Sequence, residues 1–408
     1  MLWSLQNSER LLAENEIREL MARAFASADL GGKRVLVIIP DGTRSGPLGL
    51  FYRLLNDLLA SQVAALDFLI ALGTHPAMDN EAIARRLDLA AGQKAPRVFN
   101  HEWWKPETLF TAGVIKADEI AALTNGMMRQ DVAVTLNKMI LDYDQLLVCG
   151  PVFPHEVVGF SGGSKYLFPG IAGAEIINFT HWLGALLTSY AIIGTKHTAV
   201  RAVVERAAET VQVPKMGCCF VVQDDGVEGV YIGELPKAWE AAADQSAHSH
   251  VTYLDNPVPR VLSVMPRMYD DIWTAAKGMY KMEPIIADGG EVIIYTPHIT
   301  EFSYTHGRII EEVGYHVRDY FTKQWDKFKH YPWGVLAHST HLRGIGEYDV
   351  ARGIESPRIR VTLATGISRE RCERVNLGYA DPRAIDLNRP NPDWFVVPKA
   401  GEMLYRLK

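Results

Sequence analysis

Cysteine is nearly missing from this chain: four residues in 408, at positions 149, 218, 219 and 372, with no CxxC spacing. Two of them are adjacent and cannot easily bridge each other, which argues against a disulfide framework and the secreted scaffolds built on one. Long apolar runs are missing as well. The longest, such as VLVII at 35–39, fall far short of the about 20 residues that a membrane-spanning helix needs. There is no excess of positive charge: 42 Lys and Arg against 48 Asp and Glu leave a net charge of −6, no footprint for nucleic acid or an anionic membrane. The N-terminal stretch MLWSLQNSERLLAENEIREL has neither the basic start nor the apolar core of an export signal, so a cytoplasmic protein is expected. Nucleotide signatures are absent too. No GxGxxG follows any apolar run, FSGGSK at 160–165 does not fit GxxxxGK[ST], and no HExxH occurs; ordinary ATP, NAD or zincin chemistry is not indicated.

What is there is a rhythm of short apolar runs and longer helical patterns. RVLVII (34–39), LDFLIAL (66–72), DQLLVCGPV (144–152) and GCCFVVQ (217–223) read as buried strands, with helical stretches at 48–60, 78–89 and near 173–209. That alternation predicts an α/β fold with a mostly parallel sheet. A turn-rich stretch, TYLDNPVPR at 252–260, suggests a boundary. Beyond it VLSVM (261–265), GGEVIIYTP (289–297), RVTLAT (360–365) and WFVVP (394–398) read as strands, and 270–286 and 308–330 as helical. The expectation is therefore two domains: a larger one over 1–256, which binds the cofactor, and a smaller α/β domain over 257–408, with an active site in the cleft between them.

Chemistry-bearing residues gather where such sheets keep their sites, on loops at the carboxyl ends of strands. DGTR (41–44) places Asp41 and Arg44 on a tight turn, GTHP (73–76) places His75 after a strand, and His155 follows another. A guanidinium holds a carboxylate or phosphate in two-point contact, and a histidine titrates near neutrality. Each motif alone also fits a local ion pair or a structural histidine. FSGGSK offers backbone N–H groups to an anion, and Lys165 is an anion clamp or a residue that becomes covalently modified. His181, in NFTHW, is a polar helix residue or a metal ligand, since imidazole suits zinc, copper, iron and nickel.

Together these stretches resemble the nickel-dependent lactate racemase family. The resemblance rests on DGTR (41–44), GTHP (73–76), PHEVVGFSGGSKYLFPGIAG (154–173), NFTHW (178–182), WTAAKGM (273–279) and TKQW (322–325), with ten residues from His155 to Lys165 and sixteen from Lys165 to His181. It implies a racemase or epimerase that inverts C2 of a 2-hydroxy acid. The cofactor would be a nickel-pincer nucleotide, a pyridinium mononucleotide with sulfur-bearing arms, tethered to Lys165, its nickel completed by His181. Thr43, Ser161, Gly162, Gly163 and Trp325 would line the cofactor. His75 and His155 would be alternating general bases while hydrogen leaves C2 as hydride to the cofactor and returns on the other face. Asp41 would orient a histidine or a cofactor group, and Arg44 and Lys277 would hold the carboxylate. Partners implied are a small 2-hydroxy acid and the proteins that build the cofactor, with neither nucleic acid nor membrane, and assembly as a homo-oligomer is left open.

The family's lactate enzyme carries a tyrosine–glutamine pair where this chain has Trp273 and Thr274. Losing a two-sided hydrogen bonder and freeing volume points to a longer acid, up to a sugar acid. The residues themselves also admit a metal-dependent hydrolase of an anionic small molecule, or a non-catalytic binder of an anionic metabolite.

Overall fold

A computed structural model describes residues 1–408 apart from 91, 92, 94 and 96. By its contacts the chain divides into two compact units. The first comprises residues 1–153, 160–177 and 199–249; the second comprises 154–159, 178–198 and 250–408. The last crossing falls at 249/250, not the expected 256/257, and two short segments of the expected first domain belong with the second unit.

The first unit is built on a seven-stranded sheet. Its order is Leu2–Gln6, Gly226–Glu234, Lys215–Gln223, Gln145–Pro151, Arg34–Pro40, Ala65–Ala71 and Val98–Asn100. The five strands from Lys215–Gln223 onward pair in parallel and the two at the other edge are antiparallel. The apolar run from Val35 to Pro40 is buried at every position, as expected of a central strand covered on both faces. Helix Leu48–Leu59 buries Leu48, Phe51, Leu54, Leu55 and Leu59, a stripe at three- and four-residue spacing. Phe51 stacks on Phe220 of the sheet, centroids 4.1 Å apart; burying such a ring is worth about 1.5–3 kcal/mol. All four cysteines are buried and free.

The second unit has its own five-stranded parallel sheet, ordered Gly378–Ala380, Arg360–Thr365, Ile286–Thr296, Val258–Val264 and Phe395–Val397. The four strands expected there are present. Three helical expectations come out differently: to begin with, 308–330 is divided into Gly307–Val313, Arg318–Thr322 and Trp325–Phe328, with Gly314 at φ 73° after the first. The helix near 173–209 is broken into Ala174–Leu187, Ser189–Ile192 and Ala199–Glu209. Thr188 adopts a positive φ of 75°, which a β-branched residue cannot carry within a helix. The segment 270–286 forms only the turns Ile272–Ala275, Lys277–Tyr280 and Glu283–Ile285; Gly278 weakens a helix and Pro284 supplies no N–H. Helix Trp333–Arg343 and the hairpin of Leu109–Ile115 with Val132–Asn137 were not foreseen. Among the described residues no helix is long and apolar enough to cross a membrane.

One buried histidine of the first unit makes stability depend on pH. The His101 ring lies between the Ala172 carbonyl, 3.0 Å from Nε2, and the Asn137 amide, 3.2 Å from Nδ1. Both contacts suit a neutral ring, and burial lowers its pKa to about 4. Because the folded pKa lies below the unfolded one, the stabilisation is complete above about pH 6.5 and is lost as pH falls towards 4. Glu283, in the second unit, opposes this. Burial raises its pKa to about 7 against the Ile345 N–H and Arg358, a contribution that is lost as pH rises towards 7. His101→Gln should therefore flatten the fall of the thermal midpoint between pH 6.5 and 4. An unchanged slope in that variant would show that His101 does not carry it.

Candidate functional site

In the first unit, parallel register aligns Pro40 with Ala71. The next residues of both strands therefore emerge side by side, and Asp41 meets the Gly73–Pro76 loop. Asp41 Oδ2 lies 2.5 Å from His75 Nδ1. Its Oδ1 accepts the Thr43 hydroxyl at 2.7 Å and the Thr43 N–H at 3.1 Å. Burial pushes the Asp41 carboxyl up, but His75, Thr43 and Arg44 outweigh it and hold it well below the usual carboxylate range. An ionised carboxylate only accepts, so it fixes hydrogen on His75 Nδ1 and leaves Nε2 as the proton acceptor. Arg44 donates to the Thr43 carbonyl at 3.0 Å. The histidine loop is pinned at both ends: Gly73, at φ 58°, donates its N–H to the Gly170 carbonyl at 2.9 Å, and Trp103 donates to the His75 carbonyl at 3.1 Å.

The glycine loop belongs to the same unit from Phe160 onward. Gly162 and Gly163 have φ of 80° and 60°, and a Cβ on either would lie 2.7 Å from Val152 or Trp239; only glycine fits both demands. Lys165 is half-buried on the turn Gly163–Tyr166. Its N–H bonds the Gly162 carbonyl at 3.2 Å and its carbonyl accepts Gly170 N–H at 3.0 Å. The Ser161 hydroxyl accepts the Phe153 N–H at 2.9 Å. The loop is held by residues that sequence reasoning missed. Arg201, 3% exposed, lies over the Trp239 ring at 3.9 Å and donates to the Phe160 carbonyl, to Gly162 at 3.4 Å and to Glu205 at 3.3 Å. Glu205 also accepts the Ser164 hydroxyl at 2.6 Å, and Trp239 donates to the Ser161 carbonyl at 2.9 Å. Burial lowers the Arg201 pKa to about 10 against the pull of Glu205. In sequence Arg201 and Glu205 look like an ordinary i, i+4 surface pair.

The second unit holds His155, His181, Trp273, Thr274, Lys277 and Trp325. His155 is buried; its Nδ1 accepts the Val157 N–H at 3.1 Å and lies 3.4 Å from the Glu156 carboxylate. His181 sits on helix Ala174–Leu187, next to Trp182, which stacks on Trp325 at 4.9 Å. Trp273 stacks on His338 at 4.1 Å and meets the tilted ring of His306 at 4.6 Å. Lys277 is buried with its Nζ 4.4 Å over the Tyr269 ring. Asp271 caps the turn Ile272–Ala275 by accepting the Thr274 N–H at 2.9 Å, and the Thr274 hydroxyl donates to the same carboxylate at 2.9 Å, so it is already engaged.

His338 and His341, three apart on helix Trp333–Arg343, are further residues the sequence reading missed. Both ring nitrogens of His341 are buried without a hydrogen-bond partner. Burial and then the neighbouring imidazoles, His181 among them, hold the His338 pKa well below the usual value. Burial likewise takes His341 down to about 4 against the pull of Glu156. Among the described residues no group of three or more His, Cys, Asp or Glu could hold a metal ion.

The profile of the lactate racemase N-terminal domain matches residues 6–193. Residues 6–193 thus form a lactate racemase N-terminal domain. It is 23% identical over 268 residues to the lactate racemase of Lactiplantibacillus plantarum and 24% identical over 280 to that of Thermoanaerobacterium thermosaccharolyticum. Each alignment covers 65% of this chain and 60% of the relative, so the chain spans less than two thirds of the curated relatives it matches. A crystal structure of a Thermotoga maritima protein superposes with a TM-score of 0.89 at 33% identity, covering 99% of this chain and 100% of that one. The lactate racemase apoprotein of Thermoanaerobacterium thermosaccharolyticum shares the fold, with a TM-score of 0.72 at 20% identity over 97% and 93% of the two chains.

Proposed function

We propose that this chain is a member of the lactate racemase family that inverts C2 of a 2-hydroxy acid, lactate-like or longer, using a nickel-pincer nucleotide tethered to Lys165. The observation that carries the reading is the Asp41–His75 pair, a base with Nε2 open, on a loop tied by Gly73 to the far end of the Lys165 loop.

The residues fit the group. Positive-φ glycines beside Lys165 leave backbone N–H groups and no Cβ in the way. Nickel carried on such a nucleotide would need only part of its shell from the protein, a task suited to one imidazole such as His181. A bare metal ion of the hydrolase kind needs a protein cage of its own, and no such donor group stands among the described residues. A pure binding protein gives no reason for the Asp41–His75 pair.

When bound, the cofactor supplies hydride acceptance and return. The protein's part is position, charge and proton transfer. His75 takes the hydroxyl proton of one configuration at Nε2, steadied by Asp41, and His155 serves the other. Arg44 and Lys277 hold the carboxylate, while Trp273 and Trp325 wall the substrate from water. The exchange of a glutamine for Thr274, whose hydroxyl is spent on Asp271, favours an acid longer than lactate.

The test uses protein made together with the proteins that build the cofactor. Intact mass and metal analysis should show an added group on the polypeptide and one nickel. A panel of 2-hydroxy acids from lactate to sugar acids should then reveal racemisation or epimerisation, with deuterium at C2 retained in product. His75→Ala and His155→Ala should each lower turnover about 10²–10⁴-fold. Full exchange of the C2 deuterium with solvent would replace this reading with a proton-abstraction racemase.

A further inference from the structure

His75 and His155 are given the same task here but are held by different partners. His75 faces a carboxylate at Nδ1, which fixes the hydrogen there. His155 instead receives a backbone N–H at Nδ1, from Val157 at 3.1 Å. A backbone N–H only donates, so in the neutral ring Nδ1 is bare and the hydrogen sits on Nε2. The two histidines therefore rest in opposite tautomers: His75 with Nε2 ready to accept, His155 with Nε2 already carrying its proton.

A ring in the His155 state cannot take a proton at Nε2. To act there it needs its hydrogen on Nδ1, and that hydrogen needs an acceptor. Val157 cannot provide one, because two donors would then face each other and leave a buried N–H unpaired. Glu156 Oε2, at 3.4 Å from Nδ1 and on a side chain 18% exposed, can accept that hydrogen. A small turn of either side chain brings the pair to hydrogen-bond distance.

We propose that Glu156 is a positioning residue, the working Nδ1 partner of His155 as Asp41 is for His75. His155 Nδ1 exchanges between the Val157 N–H at rest and the Glu156 carboxylate at work. In the working state the imidazolium donates Nδ1–H to Glu156 and Nε2–H to the substrate oxygen. Passing the Nε2 proton to that oxygen as the hydroxyl reforms leaves a neutral Nδ1–H ring, and the reverse step takes the hydroxyl proton back. One proton enters at one histidine and one leaves at the other, so the ring charges balance over a turnover. The naming of this step as part of a racemisation rests on the function proposed above; the tautomers and the Glu156 contact do not.

The experiment has two arms. In cofactor-free protein labelled with ¹⁵N-histidine, ring-nitrogen spectra read the tautomers directly, with His155→Gln identifying the signals. Wild type should show His155 as the Nε2–H form when neutral. When protonated, it should show a strongly deshielded Nδ1 proton that disappears in Glu156→Gln and returns in Glu156→Asp. In loaded enzyme, Glu156→Gln should slow cofactor reduction by the enantiomer that His155 serves about 10–100-fold, the usual cost of losing a base's alignment, with the other enantiomer unchanged. A neutral His155 carrying Nδ1–H, a protonated signal unmoved by Glu156→Gln, or equal rates for both enantiomers would each overturn the proposal. If no 2-hydroxy acid reacts with wild type, the function proposed above falls, while the spectra still decide the role of Glu156.

Discussion

Lys165→Ala is expected to give a folded protein that gains no covalent mass when made beside the cofactor-building proteins. Lys165 holds its turn through the backbone, by its N–H to Gly162 and its carbonyl to Gly170; alanine keeps both bonds. The lost side chain is half-buried on a loop, where substitutions away from core features usually change stability by no more than about 0.5 kcal/mol. Circular dichroism and the thermal midpoint should match wild type while intact mass shows the bare polypeptide. An added mass on the variant chain would remove Lys165 as the tether.

Arg201→Met should have the largest effect on stability. The change keeps most of the side-chain volume over Trp239, so little cavity forms. It removes the donor to the carbonyls of Phe160 and Gly162 and leaves Glu205 without its cation. Breaking one side of a buried ion pair typically costs about 3–5 kcal/mol, which for a unit of this size lowers the melting midpoint by roughly 10 °C. Glu205→Gln, which keeps the Ser164 bond, should cost much less. A midpoint for Arg201→Met within about 2 °C of wild type would show that the clamp does not hold the loop. Because the loop carries Lys165, cofactor uptake in Arg201→Met should fall along with stability.

The strands were legible because their signal is local: runs such as VLVII and GCCFVV bury every residue, and turns of glycine, proline and aspartate end them. The placement of DGTR and GTHP at strand ends followed from the same runs, and the family from the motifs they carry. What no local pattern contained was partnership. Asp41 and His75 meet across 34 residues because register puts Pro40 level with Ala71, and register depends on two strands at once. Arg201 had the look of a solvated helix residue until the sheet and helix Leu235–Ser249 closed over it. Glu156 stood inside a quoted motif with no role of its own, and His341 lay outside every motif; only the fold shows what burial left beside them. The apolar pattern of a chain determines which elements form, because that choice is made within ten or so residues. Tertiary packing alone decided which polar groups lost their water, and that loss gave each its partner, its tautomer and its chemistry.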